Sequence, residues 1–141
     1  MPSFGTQTIG QTEKALNAIL DRLLEGSGLS EPQWVALTVT VMSGEETDRE
    51  ELVRKLDASL HRGRETVDGL VGALVQAGLV EERGGKVAAS ERGRELHERI
   101  RVQVQEITSR LWGDLPAGDL ETAGRVLETV LERARGELAR L

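Results

Sequence analysis

Apolar residues recur at helical spacing through most of the chain, and this pattern predicts six helices. The clearest stripe lies within residues 64–76, where apolar side chains fall at i, i+3, i+4, i+7 and i+8. These side chains are Val67, Leu70, Val71, Leu74 and Val75. Comparable stripes predict helices over about 8–25, after 30, after 48, over about 91–111 and after 119. The chain is therefore predicted to be rich in α-helix.

Residues that cap helices mark several of the predicted ends. Ser30 and Gln33 have the spacing of a capping box, in which each side chain accepts from the other residue's backbone N–H. Gly78 follows the helix over 64–76 and suits the left-handed conformation that ends many helices. Three further residues are predicted to act as N-caps: Asp48, Ser90 and Asp119.

Two short segments after Gly78 predict a β-hairpin. Residues 79–83 and 86–89 are too short for helices, and Gly84-Gly85 between them suits a tight turn. A buttress helix, a turn, a second helix and a hairpin are the parts of a winged helix-turn-helix, which usually binds DNA in the major groove. The predicted fold class is therefore mainly α with a small β-hairpin wing and about six helices.

The length of the chain predicts one domain with two parts. A chain of 141 residues suits a single protomer domain, residues 1–141. Residues 30–90 are predicted to form the winged helix-turn-helix, which is the DNA-binding part. Residues 1–29 and 91–141 are predicted to form a helical dimerisation part, because their long helices have wide apolar faces with little else to cover them. We therefore expect a two-fold homodimer.

Composition narrows the classes of partner. The net charge is −6, but residues 49–101 hold 11 basic and 10 acidic side chains, so the acidic excess lies in the flanks. The electrostatic footprint of a DNA-binding surface is local, so double-stranded DNA remains an expected partner. RNA is not expected, because three aromatic residues are too few for base stacking. No apolar run suits a membrane span or signal peptide, so we expect no membrane partner and a cytoplasmic location.

The sequence offers no chemistry for an enzyme or a metal site. Cysteine is absent, and His61 and His97 lie far apart without a carboxylate cluster around either. There is no glycine-rich phosphate loop and no nucleophile elbow. We therefore expect no catalytic residue, no metal and no cofactor.

The predicted recognition helix, residues 64–76, carries polar side chains around its start. Arg62 and Arg64 are candidates to contact phosphate oxygens or the two acceptors of guanine. Thr66 can reach a phosphate or a base edge. Asp68 repels phosphate, but its carboxylate can accept a hydrogen bond from the amino group of cytosine.

The predicted wing carries two further basic candidates. Arg83 and Lys86 flank the hairpin turn, from which they can approach the DNA backbone or the minor groove. The alternative for each of these basic residues, and for Arg62 and Arg64, is an ordinary solvated surface charge.

Four segments resemble the MarR family of transcriptional regulators (multiple antibiotic resistance regulator type). LHRGRETVDGLVGALVQAGLVEER resembles the end of the buttress helix, the turn, the recognition helix and the first wing strand. KVAASERGREL resembles the returning strand and the start of the fifth helix, while LSEPQWVALTV and LPAGDLETAGRVLETVLERA resemble the second and last helices. The resemblance implies a homodimer whose fourth helices bind the half-sites of a near-palindromic operator. It also implies a repressor, often one that a small ligand releases from DNA.

The chain departs from this family in three places. The wing turn is short, Gly63 replaces the usual Ser cap before the recognition helix, and Asp68 and Gly69 replace residues that are usually polar or basic. The short wing, Asp68 and the net charge of −6 motivate an alternative function. In it, the protein is a dimeric winged-helix module for protein interaction or ligand binding that no longer reads DNA.

The resemblance also implies a crevice beneath the second helix for a small apolar or aromatic effector. The candidate ligand-pocket residues are Ile19, Leu23, Trp34, Leu37, Thr38 and His61. They would give a mostly apolar lining with a few polar groups, which is the general form of a small-molecule site. The alternative, which we favour for Trp34 and Leu37, is that they belong to the core, while His61 is a surface turn residue.

Overall fold

The computed structural model describes residues 2–141, which form six helices and three short strands. The elements are α1 (Thr6–Leu24), α2 (Glu31–Met42), β1 (Thr47–Asp48), α3 (Arg49–Leu60), α4 (Arg64–Gln76), β2 (Val80–Arg83), β3 (Lys86–Ala89), α5 (Glu91–Trp112) and α6 (Ala117–Arg140). They confirm the predicted mainly α fold with a β-hairpin wing. The chain divides into two compact units, one up to Val104 and the other from Gln105 onward. No helix among the described residues is long and apolar enough to cross a membrane.

Two of the predicted helix starts are held by the residues that the sequence indicates. Ser30 and Gln33 form the capping box: the Gln33 N–H donates to Ser30 Oγ at 3.3 Å, and the Ser30 N–H donates to Gln33 Oε1 at 2.9 Å. Ser90 Oγ accepts from the Gly93 N–H at 3.0 Å and donates to the Gly78 carbonyl oxygen at 2.7 Å. These side chains therefore satisfy backbone N–H groups that an α-helix leaves without partners in its first turn.

Of the other two predicted caps, Asp48 occupies the N-cap position of α3 without making the capping bond, and the prediction for Asp119 is wrong. Asp48 precedes α3, but its side chain caps no N–H, and one carboxylate oxygen lies 3.5 Å from Lys86 Nζ. Asp48 also pairs with Lys86 of β3 as part of strand β1. Asp119 lies inside the first turn of α6, which begins two residues earlier at Ala117. Its negative charge there suits the positive end of the helix dipole.

The strands form one antiparallel sheet in the order β1-β3-β2. In the hairpin, Val80 pairs with Ala89 and Arg83 pairs with Lys86. Gly84 and Gly85 join the two strands with φ values of 56° and 80°, as the predicted tight turn requires. β1 was not predicted, because two residues are too few to show a strand pattern.

The core of the first unit lies between α2, α3, α4 and the hairpin, and it is aliphatic. Its fully buried side chains include Leu37, Leu52, Leu56, Val67, Val71, Leu74, Val80 and Val87. The start of α5 packs directly on the chain that enters the hairpin. A Cβ added to Gly93 would lie 2.1 Å from the Leu79 carbonyl oxygen, so only glycine permits this approach.

The second unit contains the end of α5 and all of α6. No residue of α6 is buried. Its exposed large apolar side chains are Leu120, Val126, Leu127, Val130, Leu131 and Leu138. One helix thus carries an apolar surface that the chain itself leaves open to solvent.

Candidate DNA-binding surface

The turn between α3 and α4 is held by Asp57. His61 ends α3 in the left-handed conformation, with φ 54° and ψ 43°, and its N–H donates to the Asp57 carbonyl oxygen at 2.8 Å. Gly63 follows with φ 90°, and its N–H donates to Asp57 Oδ1 at 2.8 Å. Gly63 occupies the N-cap position of α4 without a capping side chain, and its positive φ is a conformation that glycine alone adopts easily. Asp57 holds the turn from the side of α3, which the sequence pattern did not reveal.

This turn presents three of the predicted DNA contacts to solvent. Arg62 lies within the turn, Arg64 is the first residue of α4, and Thr66 lies in its first turn. All three side chains are exposed. Val67, the next residue, is fully buried and anchors the helix in the core. The start of α4 therefore combines a rigid inner face with an exposed polar edge.

The wing presents the remaining basic candidates. Arg83 and Lys86 are paired across the hairpin next to its turn, and both are exposed. Lys86 Nζ lies 3.5 Å from Asp48 Oδ1, and both side chains are more than half exposed. Such exposed pairs contribute about 0–1 kcal/mol to stability, so Lys86 can exchange Asp48 for a phosphate at small cost.

Asp68 is not directed at solvent alone, because its carboxylate is bound to Arg49. Arg49 Nε donates to Asp68 Oδ1 at 2.9 Å, and Arg49 Nη1 donates to Glu82 Oε1 at 2.8 Å. Arg49 Nη2 donates to the Asp68 carbonyl oxygen at 3.2 Å. The hydrogen bond from Asp68, followed by that from Glu82, raises the pKa of Arg49 above its ordinary value. The first residue of α3 thus joins α4 to the wing, a role that no local sequence pattern indicates.

A groove of about 970 Å³ lies between the start of α3, the start of α4 and the wing turn. Its charged lining residues are Arg49, Arg54, Arg64, Asp48, Glu50, Glu51, Glu65 and Asp68. Three arginines and five carboxylates give this groove a net charge of −2. Of the basic candidates, Arg64 lines this groove, which has a negative net charge.

The predicted ligand-pocket residues are distributed over two helices and the turn after α3. Ile19 and Leu23 are half-buried on α1, and Leu37 is fully buried within the core. Two more are half-buried on α2: Trp34 and Thr38. His61 is exposed in the turn after α3. None of the six lines the groove, nor a second cavity of about 360 Å³ between the α1–α2 turn and α5.

Comparison with known proteins places the fold. No protein-family model matches the chain. No curated protein matches it either. Solved structures do match. CouR from Rhodococcus jostii RHA1 bound to p-coumaroyl-CoA is 20% identical with a TM-score of 0.74, over 87% of this chain and 88% of that one.

Two further solved structures are similar over nearly the whole chain. The Mycobacterium tuberculosis MarR family protein Rv2887 in complex with DNA is 22% identical with a TM-score of 0.69, over 92% of this chain and 98% of that one. Sco5413, a MarR family transcriptional regulator from Streptomyces coelicolor, is 22% identical with a TM-score of 0.73, over 93% of this chain and 92% of that one. This chain has the MarR-type winged-helix fold.

Within this MarR-type fold, α2 and α5 meet through two rings. Trp34 on α2 stacks on His97 of α5, with ring centroids 4.9 Å apart and an angle of 19° between the planes. His97 is buried, and its desolvation lowers its pKa from the ordinary value of 6.5. The signal for its burial was present in the sequence, since Gly93, His97 and Ile100 follow one another at helical spacing and all three are buried.

A polar group without a partner lies on α2 one turn after Trp34. Among the described residues, Thr38 Oγ1 is the buried side-chain oxygen or nitrogen for which no hydrogen-bond partner is found. Its neighbour on the helix, Thr40, donates its hydroxyl to the Ala36 carbonyl oxygen at 2.7 Å. A buried hydroxyl without a partner loses its hydrogen bonds to water, so a polar group brought beside Thr38 would be stabilised.

Proposed function

We propose that the protein is a cytoplasmic transcriptional regulator that binds specific double-stranded DNA as a homodimer. The observation that carries this proposal is the exposed start of α4, with Arg62, Arg64 and Thr66, beside a wing that carries Arg83 and Lys86. In winged helix-turn-helix proteins the second helix of the motif enters the major groove. The MarR family protein Rv2887, which has a similar fold, was solved in complex with DNA.

The apolar surface of α6 supports the homodimer. Leu127 and Leu131 are nearly half exposed, although leucine is usually buried. A second copy of the same helix can cover these side chains in a two-fold arrangement, because such an interface uses the same surface on both chains. Two copies would present two α4 helices, which suits a near-palindromic operator with two half-sites.

We further propose that the protein is a repressor that a small apolar or aromatic effector releases from DNA. CouR, which shares the fold, was solved with p-coumaroyl-CoA bound. Trp34 and Thr38 supply a ring and an unpartnered hydroxyl on the same face of α2. A ligand with an aromatic ring and one polar group would match this pair.

Selection of bound duplexes from a random pool tests the proposal, because it finds an operator of any sequence. The selected duplex and a scrambled control are then titrated by fluorescence anisotropy at several salt concentrations. A site-specific regulator binds its own duplex at least ~10³-fold more tightly than the control. Its affinity falls as salt rises, because counterions are released from the phosphates. Enrichment of no sequence, or equal binding of an enriched duplex and its scrambled control, contradicts specific DNA binding.

A pair of double variants tests whether the α3–α4 turn makes the contacts. Arg62→Ala/Arg64→Ala removes two positive charges from the turn and is expected to weaken binding at least ~10-fold. Arg133→Ala/Arg135→Ala removes the same charge at the same spacing from α6, so it controls for net charge. Equal losses in both variants would contradict a specific contact made by the turn.

The acidic groove favours a second candidate function, a dimeric winged-helix module for protein interaction or ligand binding. Its net charge of −2 lies between the start of α4 and the wing, where DNA would be placed. A carboxylate-rich hollow repels phosphate and attracts basic groups of another protein. Absence of binding to every duplex, even at low salt, would favour this function over transcriptional regulation.

A further inference from the structure

Arg49 connects three elements that meet at the candidate DNA-binding surface. It is the first residue of α3, its side chain donates to Asp68 on α4, and it also donates to Glu82 on β2. Its backbone N–H donates to the Gly85 carbonyl oxygen in the wing turn at 2.9 Å. A single residue therefore ties the wing to α4 from both its main chain and its side chain.

The arrangement differs from an ordinary surface ion pair in its geometry. All three guanidinium nitrogens of Arg49 donate, and its side chain is 23% exposed. A Cβ added to Gly72 would lie 3.5 Å from Arg49 Nη2, which shows that the guanidinium lies against the backbone of α4. Lysine cannot reproduce this, because an ammonium group lacks the planar, forked set of donors.

The bond to Glu82 has a consequence for its neighbour Arg83. Successive side chains of a strand point to opposite faces of the sheet, so a strand whose Glu82 side chain is held towards Arg49 at the start of α3 presents Arg83 on the other face. Lys86 pairs with Arg83 across the hairpin and is placed by the same strand register. The orientation of the basic wing residues thus depends on the contact between Arg49 and Glu82.

We propose that Arg49 is a positioning residue that sets the wing relative to the recognition helix α4, and that Asp68 serves DNA binding through Arg49 and not by contacting a base. This inference rests on the proposed DNA-binding function. Asp68 and Arg49 are expected to act as one unit with Glu82, so a change in any of the three displaces Arg83 and Lys86.

The direction in which one substitution changes the affinity for DNA separates this role from a simple effect of charge. Asp68 is an exposed carboxylate on the helix proposed to face DNA. If its charge alone mattered, Asp68→Ala would bind DNA more tightly, because a repulsion of phosphate is removed. If it holds Arg49, the same variant binds less tightly despite the loss of a negative charge.

The experiment compares Asp68→Ala with the matched variant Glu65→Ala by anisotropy on the selected duplex. Both remove one negative charge from α4, three residues apart, and both introduce a good helix former. We expect Asp68→Ala to weaken binding by at least ~5-fold and Glu65→Ala not to weaken it. Unchanged or tighter binding by Asp68→Ala would overturn the proposal.

A second comparison asks whether Arg49 itself touches phosphate. Arg49→Lys keeps the charge, so the salt dependence of binding should stay that of the unsubstituted protein while the affinity falls as in Arg49→Ala. Arg54→Ala, which removes one positive charge from the same helix, is the control for charge. Full affinity in Arg49→Lys, with a smaller salt dependence in Arg49→Ala, would show a phosphate contact and overturn the positioning role.

Amide hydrogen exchange, measured without DNA, tests whether Arg49 holds the wing. In Arg49→Lys and Asp68→Ala, amides of β2 and β3 are expected to exchange faster, whereas those of α1 and α2 keep their rates. Unchanged exchange in the wing would overturn the positioning role of Arg49 even if DNA binding is confirmed. If the unsubstituted protein binds no duplex, the proposed function fails, and wing exchange still decides whether Arg49 holds the wing.

Discussion

Trp34 and His97 stack at a centroid distance of 4.9 Å, which joins α2 to α5 through two nearly parallel rings. His97 is almost completely buried. Burial disfavours the charged imidazolium and lowers the pKa of His97, so the ring that stacks on Trp34 is the neutral one near pH 7. The contact therefore links the packing of these helices to pH.

We expect the free energy of unfolding to fall on acidification because of His97. Its pKa is lowered in the folded protein, so the unfolded chain binds the proton more readily near the ordinary value of 6.5. The contribution of the neutral ring is complete at higher pH and is lost as pH falls through 6.5 towards the folded-state pKa. Urea unfolding at about pH 8 and about pH 5.5 measures this loss of stability.

Two variants isolate this effect from the titration of carboxylates. His97→Phe keeps a ring against Trp34 but carries no proton, so it should lose less stability on acidification than the unsubstituted protein. His61→Asn replaces the exposed histidine with a residue that tolerates its left-handed conformation, and it is the matched control. An identical pH dependence in His97→Phe would contradict the role of His97.

Gly63 is predicted to resist substitution because of its backbone conformation. With φ 90° and ψ 144°, Gly63→Ala places a side chain in a region that glycine occupies almost alone, at a cost of about 1–3 kcal/mol. Gly69→Ala is the control, since Gly69 is helical and an added Cβ meets nothing within 4 Å. That variant should gain about 0.5–1 kcal/mol. Urea unfolding measures the free energy of unfolding of both variants, and equal stabilities would refute the argument.

Gly93 is predicted to resist substitution for a different reason, which is close packing. The added methyl group of Gly93→Ala would meet the Leu79 carbonyl oxygen at 2.1 Å, so α5 or the hairpin must move. Such overpacking costs about 1–3 kcal/mol, and the Ser90 N–H bond to the same oxygen is disturbed. Thermal unfolding should show a lower midpoint than for Gly69→Ala. An unchanged midpoint would mean that the two segments separate freely.

The apolar face of α6 predicts the oligomeric state. The unsubstituted protein should have twice the mass of one chain by light scattering, and Leu127→Glu/Leu131→Glu should reduce it to that of a monomer because charges enter the interface. Thr129→Glu adds a charge about 200° around the helix from Leu127 and should leave the mass unchanged. A monomeric unsubstituted protein at micromolar concentration would rule out the proposed dimer.

Local sequence patterns were sufficient for most of the fold. The stripe in residues 64–76 predicted α4 with the bounds it has, since Val67, Val71 and Leu74 are buried as the spacing required. Ser30 with Gln33 and the Gly84-Gly85 turn were equally readable. In each case the determining residues are at most a few positions apart, so helix period, capping chemistry and backbone freedom act within one element.

The tertiary structure decided what brings distant residues together. Arg49 reaches Asp68 and Glu82 across 19 and 33 residues, so Asp68, a predicted base contact, has a partner on α3. Trp34 meets His97 from another helix in the same way. The sequence by itself determined which faces are apolar and where several of the helices begin or end, because those properties depend on neighbours along the chain. Contacts between polar side chains depend on how packed elements place them, and no local pattern encodes that placement.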